Sequence, residues 1–138
     1  MTPIQEQAIP LLLKKRDLIG QADTGTGKTA AFAIPIIESL DPQSNDVQAL
    51  ILCPTRELCC QVAEQCNELM KYHEDFSSLA IYGGQNIETQ IKALANNPQL
   101  IVATPGRALD HLRRGSLKLH ALQSIVLDEA DKMLEMGF

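Results

Sequence analysis

A glycine- and threonine-rich segment of the sequence ends in a lysine and a second hydroxyl residue. It reads Ala-Asp-Thr-Gly-Thr-Gly-Lys-Thr over residues 22–29. Glycines let the backbone curl so that successive N–H groups converge on phosphate oxygens, and the positive end of a following helix strengthens the binding. We therefore predict a phosphate-binding loop (P-loop), in which Lys28 reaches the β- and γ-phosphates and the Thr29 hydroxyl ligates Mg²⁺. The alternative is a glycine-rich turn with an unrelated lysine, which the strand pattern before it and the helix pattern after it disfavour. The residues predicted to bind the nucleotide here are Ala22, Thr24, Gly25, Thr26, Gly27, Lys28 and Thr29.

Two adjacent carboxylates, Asp128 and Glu129, follow an apolar run near the end of the sequence. An enzyme with a P-loop needs a second group to hold its metal ion, and we predict that Asp128 holds Mg²⁺, through water. Glu129 is predicted to orient or deprotonate the attacking water. The alternative is a solvated strand end or a pair of residues that starts a helix. Because the P-loop lies upstream, a catalytic set of Lys28, Asp128 and Glu129 is favoured.

Short β-type runs alternate with helical patterns along the whole chain. Strands are predicted over residues 17–21, 47–53, 78–82, 100–103 and 124–127. Helices are predicted over residues 27–40, 56–71, 86–95 and 105–114, and Pro35 is expected to kink or shorten the first of them. Five such alternations predict an α/β fold with a mostly parallel sheet. Each polar motif follows a strand, and ligands bind beyond the carboxyl ends of such strands, so one active face is predicted.

The charge balance argues against one way of binding nucleic acid. The formal net charge is −5 and the pI is near 5.1, which disfavours binding through a broad basic surface. Any nucleic acid must therefore be held by a few placed groups, such as backbone N–H donors and helix N-termini.

The remaining composition predicts one ordinary domain in a reducing compartment. The 138 residues suffice for one domain with a core. No apolar run approaches the roughly 20 residues that span a bilayer, and the first residues lack a secretory pattern, so no membrane contact and a cytoplasmic location are predicted. The four cysteines lack zinc-site spacing and are expected to stay reduced as small apolar residues. They are Cys53, Cys59, Cys60 and Cys66.

Six ordered blocks of the sequence resemble the motifs of the DEAD-box ATP-dependent RNA helicases of superfamily 2. The segment Asp-Glu-Ala-Asp over residues 128–131 is similar to the signature that gives that family its name. The other blocks are Thr2-Pro3-Ile4-Gln5 (the end of the Q motif), residues 22–29 (motif I), Pro54-Thr55-Arg56-Glu57-Leu58 (motif Ia), Gly83-Gly84 and Thr104-Pro105-Gly106-Arg107 (motif Ib). The resemblance extends over the whole chain.

The resemblance implies a RecA-like three-layer sandwich with a P-loop and a mostly parallel central sheet. Residues 1–138 would form part of the first RecA-like domain, without the second RecA-like domain of the same polypeptide. In this family the strand that carries motif III is expected between the P-loop strand and the strand that ends at Asp128. The sheet would then be incomplete at the C-terminus, and the fragment alone is expected to be unstable and nearly inactive.

The resemblance also implies roles for individual residues. Gln5 is expected to read the adenine edge of ATP. The residues expected to grip the backbone of single-stranded RNA, without reading base identity, are Thr55, Arg56, Gly84, Thr104, Gly106 and Arg107. For the two arginines the alternative is a surface ion pair, with Glu57 for Arg56 and with Asp110 for Arg107.

The function implied is that of an RNA-dependent ATPase module that uses ATP and Mg²⁺. With its second domain it would hydrolyse ATP and unwind short RNA duplexes locally. One alternative is a nucleotide-gated RNA clamp that binds without useful unwinding. Another is a DNA translocase of the wider helicase superfamily, against which the Thr2–Gln5 block and the Asp-Glu-Ala-Asp segment argue.

Overall fold

Four short apolar runs form the strands at the centre of the fold, as is typical of a parallel sheet that helices cover. A computed structural model describes residues 2–14, 16–20, 27–73 and 75–137. The strands are β1 (Ala49–Leu52), β2 (Ser78–Ile81), β3 (Leu100–Ala103) and β4 (Ser124–Leu127). They pair in the order β2-β3-β1-β4, and every pairing is parallel. The predicted α/β fold with a parallel sheet is thereby confirmed.

Helices cover both faces of this sheet and give the fold three layers. They are α1 (Pro3–Leu13), α2 (Lys28–Ser39), α3 (Arg56–Met70), α4 (Ile87–Leu94), α5 (Pro105–Arg114) and α6 (Ala130–Glu135). Successive strand residues point to opposite faces, so Ile51 belongs to a core with α2 and α3, and Leu50 to a core with α4 and α5. No helix in the described ranges has the length and apolarity that a membrane crossing requires.

Three of the four cysteines lie in the core on the α3 side of the sheet. Cys53, Cys59 and Cys66 are fully buried, whereas Cys60 is half-buried, and all four are free thiols. Burial raises the pKa of the Cys66 thiol to about 12. The contact with Cys59, together with burial, also raises the pKa of Cys53. These side chains therefore pack as small apolar residues, as predicted.

One predicted strand is absent from the described part of its range. The first strand was predicted over residues 17–21, but residues 17–20 have no strand structure, and Gln21 lies outside the described residues. Leu18 and Ile19 are exposed there, Ile19 by 96%. A strand needs a neighbour for its backbone hydrogen bonds, and among the described residues no strand lies beyond β4. The outer strand β4 accordingly exposes Ile125 and Leu127.

Two of the described helices, α1 and α6, were not predicted, whereas α2 was. The helix α2 continues past the buried Pro35 to Ser39, so this proline does not end it. The helix α1 was not predicted at all. Its N-terminus nevertheless carries a capping box, in which Thr2 and Gln5 satisfy each other's backbone N–H groups. The spacing Thr-x-x-Gln was therefore a usable signal for the start of a helix.

Candidate functional site

The start of α2 provides the described part of the predicted P-loop. The predicted ligands Ala22, Thr24, Gly25 and Thr26 lie outside the described residues. Gly27 precedes α2 with a φ of 79°, in the left-handed region that suits glycine. No side chain of a described residue caps this helix. No side-chain cap from the described residues therefore competes with an anion for the N–H groups of its first turn, which begins with Lys28 and Thr29.

The predicted catalytic lysine and the predicted metal-holding carboxylate contact each other. Lys28 Nζ lies 3.1 Å from Asp128 Oδ1. The Asp128 side chain is only 4% exposed, whereas that of Lys28 is 31% exposed. Asp128 is fixed at the end of β4 by its backbone N–H, which donates to the carbonyl of Leu52 at 2.9 Å. Two segments 100 residues apart in the chain thus meet at the carboxyl edge of the sheet.

Glu129 has an unusual backbone conformation beside this pair. Its φ is 54°, in the left-handed region, which is uncommon for a residue other than glycine. Such conformations are costly and are frequent at active sites. The same residue is the N-cap of α6, and its carboxylate pairs with Lys132, which raises the pKa of that lysine. Glu129 therefore lies both at a helix start and next to the predicted catalytic pair.

A cavity of about 840 Å³ adjoins these groups. Its lining includes Gly27, Lys28, Thr29, Asp128 and Glu129, together with residues of α3. The hydroxyl and carboxylate oxygens of this set are the hard ligands that Mg²⁺ prefers. No cluster of three acidic, histidine or cysteine side chains that could enclose a metal occurs in the described ranges. This donor set fits Mg²⁺ held by few protein oxygens together with water and phosphate.

Gln5 links α1 to the end of the P-loop. Its Nε2 donates to the carbonyl of Gly27 at 3.1 Å, and its Oε1 accepts from the backbone N–H of Thr2 at 3.2 Å. A side chain on Gly27 would collide with the Gln5 amide. A primary amide has two N–H donors and two acceptor lone pairs. With respect to the described residues, Gln5 therefore keeps one donor and one acceptor, which is the pair that adenine N7 and N6 would require.

The loop after β1 and the loop after β2 meet around Arg56. Thr55 is the N-cap of α3, and its hydroxyl accepts from the N–H of Leu58 at 3.2 Å. The Arg56 guanidinium lies over the ring of Tyr82, 5.7 Å from its centroid, and approaches Gly84. Arg56 does not form the ion pair with Glu57 that the sequence left open as an alternative. Arg56 is instead an exposed cation that is oriented by an aromatic ring.

The first turn of α5 follows β3. Thr104 is the N-cap residue, but its side chain makes no capping hydrogen bond. Gly106 is exposed, and a side chain there would meet nothing within 4 Å. The Arg107 side chain is 15% exposed, and its Nε lies 3.9 Å from Asp110 Oδ2. The ion pair with Asp110 that the sequence left open as an alternative is therefore formed. Arg107 Nη1 also donates to the carbonyl of Gln85 at 2.9 Å.

Sequence reasoning missed the buried polar residues behind Arg107. Gln90 is 1% exposed and His111 is fully buried, and they are joined by a hydrogen bond of 2.8 Å. Both fall on the buried faces of their helices, Gln90 four residues before the core residue Leu94 and His111 three residues after Ala108. Helical spacing therefore contained the signal, namely a polar residue at a position where an apolar one is expected.

The buried His111 predicts a loss of stability in acid. Burial and the nearby Arg107 lower the pKa of His111 from its ordinary value of 6.5, against a smaller opposing effect of Asp110. The unfolded chain then binds the proton more tightly than the folded one, so stability is complete above about pH 6.5 and is lost as the pH falls further. Arg114 adds positive charge from the same helix, while α4 presents Gln90 and the turn after α5 presents Ser116.

Thermal unfolding of the full-length protein between about pH 7.5 and about pH 5.5 measures this effect. We expect the melting temperature to fall on acidification, and His111→Gln to reduce that fall. His120→Gln is the matched control, because His120 is exposed on the surface, and this variant should keep the acid sensitivity. Equal acid sensitivity in wild type and His111→Gln would contradict the prediction.

Comparison with known proteins gives one consistent family. Residues 2–138 match the family described as DEAD/DEAH box helicase. The chain is 58% identical to an ATP-dependent RNA helicase CshA of Listeria monocytogenes, over 99% of this chain and 26% of that protein. It is 52% identical to the ATP-dependent RNA helicase DeaD of Escherichia coli, over 99% of this chain and 22% of that protein. The chain thus spans about a quarter of the length of these relatives.

Solved structures give the same fold. The yeast DEAD-box splicing factor Prp28 superposes on the whole chain and on 34% of its own chain, with a TM-score of 0.93 at 38% identity. A hypothetical ATP-dependent RNA helicase from Sulfolobus tokodaii superposes with a TM-score of 0.88 at 39% identity, over 99% of this chain and 39% of its own. The RecA-like architecture that the sequence predicted is the architecture of these neighbours.

Proposed function

Since this chain belongs to the DEAD/DEAH box helicase family, we propose that it is the ATP- and RNA-binding part of an ATP-dependent RNA helicase. The observation that carries the proposal is the contact between Lys28 and the buried Asp128, next to the strained Glu129 and the cavity. These three residues have the types that ATP hydrolysis requires, and they lie at one edge of the sheet.

The proposed roles follow from the chemistry of each side chain. Lys28 and the free N–H groups at the start of α2 bind phosphate oxygens. Thr29 and Asp128 hold Mg²⁺, which when bound neutralises charge on the phosphates. Glu129 accepts a proton from the attacking water or orients it. Gln5 uses its remaining donor and acceptor to select adenine. The undescribed residues Ala22, Thr24, Gly25 and Thr26 are proposed to complete the phosphate loop.

RNA is proposed to lie across the loops that follow β1, β2 and β3. With a net charge of −5, the chain as a whole does not attract the negatively charged RNA backbone. Local groups must therefore bind the RNA. Those proposed are the exposed backbone at Gly84 and Gly106, the hydroxyls of Thr55 and Thr104, and the cations Arg56 and Arg107. Such contacts go to phosphates and sugars and do not distinguish bases.

A second RecA-like domain is proposed to act with this one in the intact protein. The chain spans about a quarter of the length of relatives that are named ATP-dependent RNA helicases. A corresponding further part of the intact protein would supply residues that complete the ATP site and the RNA site. Closure of two domains around ATP and RNA would couple hydrolysis to local unwinding. The intact protein is therefore the form in which activity is tested.

The proposal predicts that RNA stimulates ATP hydrolysis by the full-length protein. Hydrolysis of ATP and of GTP is measured with single-stranded RNA, with DNA of the same sequence and without nucleic acid. Stimulation by RNA alone supports the proposal, and equal stimulation by DNA favours the translocase. Stimulation without separation of a short duplex favours the RNA clamp. No hydrolysis of ATP under any condition contradicts the proposed enzyme.

Gln5 is tested in the same assay. Gln5→Ala should lower the preference for ATP over GTP, because it removes the amide that would read adenine. The same change also removes half of a capping box, so Thr2→Ala is the matched control. Loss of that cap costs about 1 kcal/mol of stability without touching the proposed adenine contact. An unchanged ATP preference in Gln5→Ala would exclude Gln5 as the adenine reader.

A further inference from the structure

A group of hydrogen-bonded polar side chains lies between α4, α5 and the loop after β2. We call it the buried polar network, and its members are Gln85, Gln90, Arg107, His111 and Ser116. Gln90 and His111 form its centre and are 1% and 0% exposed. Burial of polar groups is costly unless each one has a partner. No buried side-chain nitrogen or oxygen in the described ranges lacks one.

Gln90 uses its full hydrogen-bonding capacity. Its Nε2 donates to the carbonyl of Tyr82 at 2.9 Å and to Gln85 Oε1 at 2.8 Å. Its Oε1 accepts from Arg107 Nη1 at 3.1 Å and lies 2.8 Å from His111 Nε2. A primary amide has two donors and two lone pairs, so four partners saturate it. These partners fix which end of the amide faces the arginine.

The same count fixes one proton of His111. Because Gln90 Oε1 is an acceptor, His111 Nε2 must carry a proton. His111 Nδ1 lies 2.7 Å from the hydroxyl of Ser116, which is also 3.3 Å from the His111 carbonyl; its single proton can be donated to the closer Nδ1 when that nitrogen carries none. The neutral ring with its proton on Nε2 therefore satisfies both neighbours. A second proton on this ring would add a buried cation close to Arg107.

The network ties together two segments that are far apart in the chain. Arg107, in the first turn of α5, donates from the same Nη1 to the carbonyl of Gln85 and to Gln90. Gln90 in turn holds the backbone at Tyr82 and the side chain of Gln85. The loop that contains Gly83 and Gly84 is thus anchored on both sides, to the helix turn that carries Arg107.

We propose that Gln90 and His111 are positioning residues that hold the Gly84 loop and the Arg107 turn in one fixed arrangement for the RNA backbone. This inference rests on the proposed function, because it assigns a task to residues behind the proposed RNA contacts. Apolar side chains of the same volume would fill this space at least as favourably. The saturated amide of Gln90 and the imidazole of His111 instead form hydrogen bonds with a defined geometry. These hydrogen bonds constrain the orientation of Arg107 and of the loop backbone.

The test compares Gln90→Met with Gln43→Met in the full-length protein. Methionine keeps the length of the side chain and removes both amide groups, and Gln43 is an exposed residue of the loop after α2. The probe is a single-stranded oligouridylate. For Gln90→Met we expect the RNA concentration that half-maximally stimulates ATP hydrolysis to rise about tenfold, with little change in kcat at saturating RNA or in the KM for ATP. Gln43→Met should match wild type in all three quantities.

Salt dependence and a double variant separate positioning from a general structural effect. Each phosphate contact to a single strand contributes about 0.7 to the slope of log affinity against log salt. Arg107→Met should lower that slope by about this amount, and Gln90→Met should lower it in the same direction. In the Arg107→Met background, Gln90→Met should weaken RNA binding by less than about twofold. Full additivity of the two changes would overturn the proposal.

An exposed member of the network keeps the test decisive if Gln90→Met does not fold. Gln85→Ala removes only the acceptor for Gln90 Nε2, and we expect RNA binding to weaken by about two- to threefold. Unchanged RNA binding in every variant that melts like wild type would overturn the proposed positioning role. If wild type itself shows no RNA stimulation, the proposed function fails instead, so the two failures are distinguishable.

Discussion

Glu129→Gln in the full-length protein is expected to lower the kcat of RNA-stimulated ATP hydrolysis by about 10²- to 10⁴-fold, because an amide cannot accept the proton of the attacking water. Glu129 directly follows the buried Asp128 and lines the same cavity as Lys28. The substitution keeps the size of the side chain and an oxygen that can accept from Lys132. ATP and RNA affinities should therefore change by less than about threefold. Steady-state hydrolysis and equilibrium binding are the two measurements.

Two controls separate the catalytic role of Glu129 from its role at the start of α6. Lys132→Met removes the exposed partner of Glu129, and exposed ion pairs contribute little to stability, so kcat should fall by less than about threefold. Glu135→Gln changes an exposed glutamate of the same helix and should match wild type. If Glu129→Gln lowered only the melting temperature and left kcat intact, Glu129 would be a helix-start residue and the base would be another group.

The parts of the fold that were predictable are those that local pattern determines. Each of the runs around Ile51, Ala80, Ile101 and Val126 is apolar and is bounded by turn residues, and each forms a strand. The helices α3 and α4 begin near the predicted positions because Thr55 and Asn86 cap them through their side chains. Residues 17–20 have a similar composition but form no strand, since strand formation depends on a neighbour elsewhere in the chain.

The candidate site also combines features that local sequence predicts with features that depend on distant contacts. The types and order of Lys28, Thr29, Asp128 and Glu129 were sufficient to predict that these residues lie together. The left-handed backbone of Glu129 was not predictable, because glutamate has no local preference for it. The hydrogen bond between Gln5 and Gly27 joins residues 22 positions apart. Contacts of this kind depend on how the helices pack, which a motif does not encode.

The network behind Arg107 is the clearest case of information that the sequence does not carry. Helical spacing identifies Gln90 and His111 as buried, but it does not identify their partners. Those partners lie on α5, on the loop after β2 and on the turn at Ser116. The sequence offered an ion pair with Asp110 as one interpretation of Arg107. That contact, at 3.9 Å, is the longest of the polar contacts of Arg107. The shorter contacts, to Gln85 and Gln90, determine how its guanidinium is oriented.

Lys28→Met is expected to weaken ATP binding by the full-length protein about 10- to 100-fold, because a charge-assisted hydrogen bond contributes about 1.5–3 kcal/mol. Titration with a fluorescent ATP analogue in the presence of Mg²⁺ measures the loss. Lys14→Met is a matched control, since Lys14 is an exposed lysine at the end of α1, and it should bind the analogue like wild type. Binding by Lys28→Met with the affinity of wild type would contradict the proposed phosphate-binding role.

Lys28→Met should also destabilise the fold, and a second substitution, Asp128→Asn, tests the reason. Lys28 is the cation in contact with Asp128, whose carboxylate is 4% exposed. Removal of that cation should lower the free energy of unfolding by about 1–3 kcal/mol, as for a buried charge without its partner. Adding Asp128→Asn removes the charge itself, so the double variant should recover most of the melting temperature without recovering ATP binding. Recovery of neither would mean that the loss of stability does not come from the unpaired carboxylate of Asp128. Recovery of stability alone would show that the carboxylate depends on a cation at this position, one that the phosphates of ATP would compete for when they bind Lys28.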